Sequence, residues 1–178
     1  MSRIGKKAVP IPPKVKVEVK DGAVVVVSPD GKKRLERKLT HVTVAVGKDS
    51  VTVSAVDGSR AARSCHGLYR TLIANMIDGV TKGWSKTLEI EGAGYKAELK
   101  GKVLVCTVGY SAPKEFPIPA GIDVELPKPT TVVLKGIDKE LVGQTAAALR
   151  ALHKPDPYRG KGIRYSGEKA IRKVVKGK

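Results

Sequence analysis

The chain has 178 residues, 41% of them hydrophobic but only 4% aromatic, with 34 Lys and Arg against 17 Asp and Glu, a formal net charge of +17. That apolar fraction excludes a wholly disordered chain and predicts an aliphatic core, while the charge excess predicts a polyanionic partner. No apolar run approaches the roughly 18 residues of a membrane span, and the opening MSRIGKKAVPIPP lacks the apolar region of a signal peptide, so a cytoplasmic chain with no membrane partner is expected.

In chain order, VKVEV (15–19), HVTVAV (41–46) and SVTVS (50–54) alternate apolar and polar residues with period 2, the pattern of half-buried strands. Turn signals such as KDG and GKD join them. A helix follows, carried by Cys65, Leu68, Tyr69, Leu72, Ile73 and Met76 at i, i+3, i+4 spacing, with Asp57 or Ser59 as its N-cap. After GVTKGW (79–84) the strand pattern resumes from Leu88 to Leu134. A second helix is marked by Leu141, Thr145, Ala148, Leu149 and Leu152, with Asp138 as its cap, and Pro155 and Pro157 end it. Apolar periodicity stops at Leu152, so the core is expected to stop there too.

A gapless shift of 80 positions superposes the two halves. It places Val42, Val44 and Val46 on Ile122, Val124 and Leu126, Val24 and Val25 on Leu104 and Val105, and Arg70 and Leu72 on Arg150 and Leu152. Strands then a helix, twice, predicts an α+β duplication in which each small antiparallel sheet is packed by a helix. The expected segments are a first repeat over 1–82, a second over 83–153 and a basic C-terminal tail over 154–178.

Catalytic and metal chemistry find little support. Cys65 and Cys106, the only cysteines, read as small buried hydrophobes, and His41, His66 and His153 have no ligand at metal spacing. Cys65 and His66 are adjacent on a helix and point about a hundred degrees apart, so they form no dyad. Gly92-Ala-Gly94-Tyr-Lys-Ala97 matches a dinucleotide-binding string, but strand-like residues follow where that chemistry needs a helix N-terminus. Its glycines are expected at a bulge or a close backbone approach. No catalytic residue, cofactor, metal or small-molecule substrate is assigned.

Charge is concentrated at the ends. Residues 1–20 carry six basic groups and one acidic, a net +5, and residues 153–178 carry nine and two, a net +7. The richest stretch is KPDPYRGKGIRY (154–165), which offers Lys154, Arg159, Lys161 and Arg164 to phosphates and Tyr158 and Tyr165 for stacking or ribose contacts. Gly160 and Gly162 are expected to let backbone amides approach phosphate oxygens.

Several of these segments together resemble a known family. SRIGKKAVPIP, CHGLYRTLIANMIDGVTKG, LEIEGAGYKAE, VGYSAP, VGQTAAALRAL and above all PDPYRGKGIRY are similar to the L-six family of large-subunit ribosomal proteins in its bacterial form. The last resembles the family signature P-x-P-Y-K-G-K-G-I, with Arg159 in place of lysine, and SPDG (28–31) departs from the usual GP-x-G turn. The resemblance implies a duplicated fold and a ribosomal, non-enzymatic role. It further implies binding to large-subunit ribosomal RNA near the sarcin–ricin region, where translation factors dock, with neighbouring ribosomal proteins as further partners. By it the RNA-binding residues are Tyr158, Arg159, Gly160, Lys161, Gly162 and Arg164, followed by Lys154 and the tail cations Lys169, Arg172 and Lys173. Two other classes are weighed against it: a general nucleic-acid-binding or nucleoid protein, and an enzyme acting on an acidic substrate.

Overall fold

The computed structural model describes residues 2–13, 15–31, 33–169 and 173. The chain forms two compact units, one of residues up to Gly83 with Ile137–Lys139, the other of Trp84–Gly136 and the residues from Glu140 onward.

The first unit contains β1 (Val9–Pro10), β2 (Lys16–Lys20), β3 (Ala23–Val27), β4 (Arg34–Lys38), β5 (Val42–Val46), β6 (Ser50–Ala55) and α1 (Arg60–Thr81). Two antiparallel sheets form, in the orders β2-β3-β4 and β1-β6-β5. The continuous apolar run AVVVV makes β3 the buried central strand. Its flanking strands alternate with charged residues that face water, including the surface pairs Lys20–Glu18 and Arg34–Glu36. Asp21 and Gly22, both at positive φ (49° and 70°), form the two-residue turn that matches strand twist in a hairpin.

Helix α1 begins where the Ser59 hydroxyl accepts from the Ala62 amide at 3.1 Å. It buries Ala62, His66, Tyr69, Ile73, Met76, Ile77 and Val80 against Val24, Val26, Val51 and Val53. The stripe sits slightly off the expected one: Leu68 is exposed, and His66 is buried because its Nε2 donates to the Val53 carbonyl at 3.0 Å. Cys65 is half-buried and Cys106, in the second unit, is buried.

The second unit contains β7 (Trp84–Glu91), β8 (Lys96–Lys100), β9 (Val103–Thr107), β10 (Lys114–Pro117), β11 (Ile122–Lys128), β12 (Thr131–Gly136), α2 (Lys139–Leu152) and β13 (Gly162–Tyr165). Its antiparallel sheets run β8-β9-β10 and β11-β12-β7-β13. The duplication is visible in register: Lys16 pairs Val27 in the first unit, and Lys96 pairs Thr107 in the second, each 80 positions later. The shift is not gapless throughout. Val42 pairs Ala55 whereas Ile122 pairs Gly136, one residue further, and an irregularity between Glu125 and Lys128 absorbs the extra residue. Helix α2 buries Val142, Thr145, Ala146 and Leu149, of which Val142, Ala146 and Leu149 stand 80 positions after the buried Ala62, His66 and Tyr69 of α1.

Two features distinguish the units. Strand β1 has two residues where β7 has eight, and β13, at the outer edge of β7, adds a fourth strand to a sheet that has three in the first unit. The core therefore does not stop at Leu152, because Ile163 of β13 is 0% exposed and packs with Leu88, Leu134 and Leu149. The sequence hides this residue because it stands alone between glycines and charges, too short a run to show a period.

The glycines of GAGYK shape a loop. Gly92 lies against the Tyr95 ring, where an added Cβ would come within 2.5 Å, and the strand β8 follows at Lys96. Among the described residues no helix is long and apolar enough to cross a membrane.

Candidate nucleic-acid interface

Between α2 and β13 the chain closes a tight loop on itself. The Asp156 carboxylate accepts from the Tyr158 amide at 3.0 Å and the Arg159 amide at 3.3 Å, an Asx-type turn. The Gly160 amide donates to the Asp156 carbonyl at 2.8 Å, and the Asp156 amide donates to the Lys161 carbonyl at 2.9 Å. Ile163 donates to the His153 carbonyl and so enters β13. Gly162 is required twice over: its φ is +144°, and a Cβ there would lie 2.8 Å from Lys154 O and from two backbone atoms of Pro155. The Gly160 amide is thus already used within the loop, and Gly162 is buried. Both glycines shape the loop rather than open their amides to a ligand.

Ion pairs lock β13 in place. Arg164 reaches Glu89 Oε2 at 3.3 Å and Glu91 Oε1 at 2.5 Å, and the Ser166 hydroxyl donates to Glu89 Oε1 at 2.9 Å. Arg150 holds Glu168 through two bonds, and the Tyr165 amide donates to Glu168 at 3.0 Å. The Arg150 bond is the main reason the Glu168 carboxyl is held below its ordinary value, with the Tyr165 amide second; the same bond raises Arg150. Tyr165 is half-buried, with Lys86 Nζ and the Arg150 guanidinium each 5.8 Å from its ring centre.

The candidate residues therefore divide. Lys154, Tyr158, Arg159, Lys169 and Lys173 are exposed and Lys161 is half-buried. Tyr158, at 58% exposure, offers an open ring. The Lys173 amide donates to the Pro157 carbonyl at 2.9 Å, which brings Lys173 alongside the loop. None of Lys154, Arg159, Lys161, Lys169 and Lys173 has a carboxylate partner among the described residues. Arg164, by contrast, is neutralised inside the fold by two glutamates. Arg172 lies outside the described residues.

Sequence reasoning missed part of this surface. Tyr110 is 47% exposed, carries Lys114 Nζ 5.0 Å over its ring, and donates from its hydroxyl to the Leu152 carbonyl at 2.9 Å. His153 sits edge-on to both Tyr95 and Tyr110, at 5.6 Å from each. The signal was an aromatic four residues before a lysine in YSAPK, which carries no meaning until the fold sets it beside the end of α2. Fixed cations and open rings can hold a polyanion and stack on flat groups. The buried Cys106 thiol, pushed up to about 11 by desolvation, is no nucleophile, and among the described residues no His, Cys, Asp and Glu gather as a metal site.

Comparison with known proteins is consistent along the whole chain. The family described as ribosomal protein L6 matches residues 11–83 and 91–166. The large ribosomal subunit protein uL6 of Geobacter sulfurreducens is 51% identical over 177 residues, covering 99% of this chain and 98% of its own. Those of Synechocystis sp. and Chlorobaculum tepidum are each 50% identical over the same length and shares. These relatives are named as ribosomal subunit proteins and not as enzymes. Two matches to one family, one in each of two units with the same strand pairing, establish that the chain belongs to the ribosomal protein L6 family.

Proposed function

We propose that this chain is a structural, non-catalytic constituent of the large ribosomal subunit in the cytoplasm, binding large-subunit ribosomal RNA near the sarcin–ricin and translation-factor docking region. Its direct contacts are Lys154, Tyr158, Arg159, Lys161, Lys169 and Lys173, with Arg172 beside them in sequence. Gly160, Gly162 and Arg164 act by holding the loop and β13 in shape. Neighbouring ribosomal proteins are its other partners. The observation that carries this reading is the run of Lys154, Arg159 and Lys161, without carboxylate partners among the described residues, and the exposed Tyr158 on one loop closed by its own hydrogen bonds. Such a rigid, cationic, aromatic surface suits folded RNA.

The test is sedimentation of cell extract at low and high salt, followed by ultraviolet cross-linking from Tyr158 and mapping of the RNA product. Co-sedimentation with large subunits and a cross-link in the sarcin–ricin region are expected. Comparable binding to duplex DNA without co-sedimentation would instead support a nucleoid protein.

A further inference from the structure

The duplication supplies its own control for an open sheet edge in the first unit. In the second unit, the edge of β12 is covered by β7 along six residue pairs, from Gly136 opposite Trp84 to Thr131 opposite Glu89. The equivalent edge of β6 is covered by β1 at two residues only, Val51 and Ser50. The remaining residues, Thr52 to Ala55, border a groove of about 650 Å³ also lined by Lys6, Arg63 and His66. That volume is within the usual range for a binding cleft, roughly 300–1,000 Å³.

The edge presents usable backbone groups. Val56 donates to the His41 carbonyl, and Gly47 donates to the Ser50 carbonyl, so the even-numbered residues of β6 bond β5 and the odd-numbered ones face outward. Val51 is paired to Val9, and the Val53 carbonyl accepts from His66. The Val53 amide and both backbone groups of Ala55 have no partner among the described residues. The chain's own N-terminal residues leave the sheet before reaching them. Lys6 donates to the Ser2 carbonyl and Lys7 to the Ile4 carbonyl in a turn, Gly5 lies on the His66 ring, and Arg70 holds the Lys7 carbonyl at 3.1 Å.

We infer that this edge takes an extended, carboxylate-bearing segment of a neighbouring protein as an added antiparallel strand. A strand supplies donors and acceptors in alternation, matching the Ala55 amide and carbonyl together. Phosphate oxygens only accept, and would leave that carbonyl unpaired. Charge selects acidic side chains: among the described residues neither Lys6 nor Arg63 has a carboxylate partner, the Arg63 guanidinium donating to the Gly58 carbonyl, and Asp57 is turned back onto the Ser59 amide. Val56, 66% exposed at the rim, offers the segment an apolar contact. The inference rests on the ribosomal reading for the source of the partner, not for the geometry of the edge.

The experiment places a thiol-directed photo-cross-linker at Ser54→Cys, in a Cys65→Ser background, within assembled large subunits. A cross-link to protein at an acidic segment is expected, with several-fold lower yield when Lys6→Glu and Arg63→Glu are added. Cross-linking to RNA alone, or none, overturns the inference. Failure of the labelled chain to enter subunits counts against the ribosomal reading instead. The edge is then judged on the free full-length chain with a synthetic peptide of sequence WSKTLEIE, the strand seated on the equivalent edge of the second unit. Slowed amide exchange at Val53 and Ala55 upholds the inference, and unchanged exchange at saturating peptide overturns it.

Discussion

Gly162 shows how a single residue ties local geometry to the proposed RNA surface. A positive φ and a backbone neighbour at 2.8 Å both forbid a side chain, so Gly162→Ala is expected to cost about 1–3 kcal/mol, measured as a lower thermal midpoint. Glu168 is informative through its ionisation. Its carboxyl is held below the ordinary 4.5 by Arg150, so the folded state binds its proton less tightly than the unfolded state. The stability it contributes is complete above the unfolded value and is lost as pH falls through the folded value. Glu168→Gln should therefore melt below the parent chain at pH 7, and the gap should close as the pH is lowered below about 4. A gap that is constant across that range would assign the effect to packing rather than to the ion pair. Gly162 was legible in the sequence only as part of a motif and Glu168 not at all, because neither the closed loop nor the Arg150–Glu168 pair has a spacing rule.

Strand β13 decides what the C-terminal segment is. Read from sequence, residues 154–178 form a detachable basic tail, since proline ends the helix and no apolar period follows. In the fold, Ile163 is fully buried, Arg164 is pinned by Glu89 and Glu91, and the sheet of the second unit gains an edge strand. Ile163→Ala should cost about 2–5 kcal/mol as a cavity in a close-packed core, whereas Arg159→Ala should leave the thermal midpoint unchanged and weaken RNA binding. Equal melting of both variants would contradict the division between structural and RNA-facing residues. Elements with clear period-2 alternation, β2, β5 and β6, were legible. Strand β4 (RLERK) was not, because its charged residues carry the exposed face of a hairpin edge, and β1 and β13 are too short to display any period.

At the scale of the whole molecule, the duplication was legible because strand pairing and helix burial repeat at nearly constant spacing. The offset of one residue in β11–β12 was not, since Ile122, Val124 and Leu126 alternate without a break and the irregularity that adds the residue falls at the end of that run, between Glu125 and Lys128. Charge, too, was legible in amount but not in use. The sequence counts Arg164 with the other cations, while the fold neutralises it and, among the described residues, leaves Lys154, Arg159 and Lys161 without carboxylate partners. The most direct measurement is the salt dependence of affinity for large-subunit ribosomal RNA, compared between the parent chain and the triple variant Lys154→Ala, Arg159→Ala, Lys161→Ala. The slope of log affinity against log salt should become shallower by about 0.7–0.9 for each phosphate that the variant no longer neutralises, with the thermal midpoint unchanged. An unaltered slope and affinity in a folded triple variant would contradict the account.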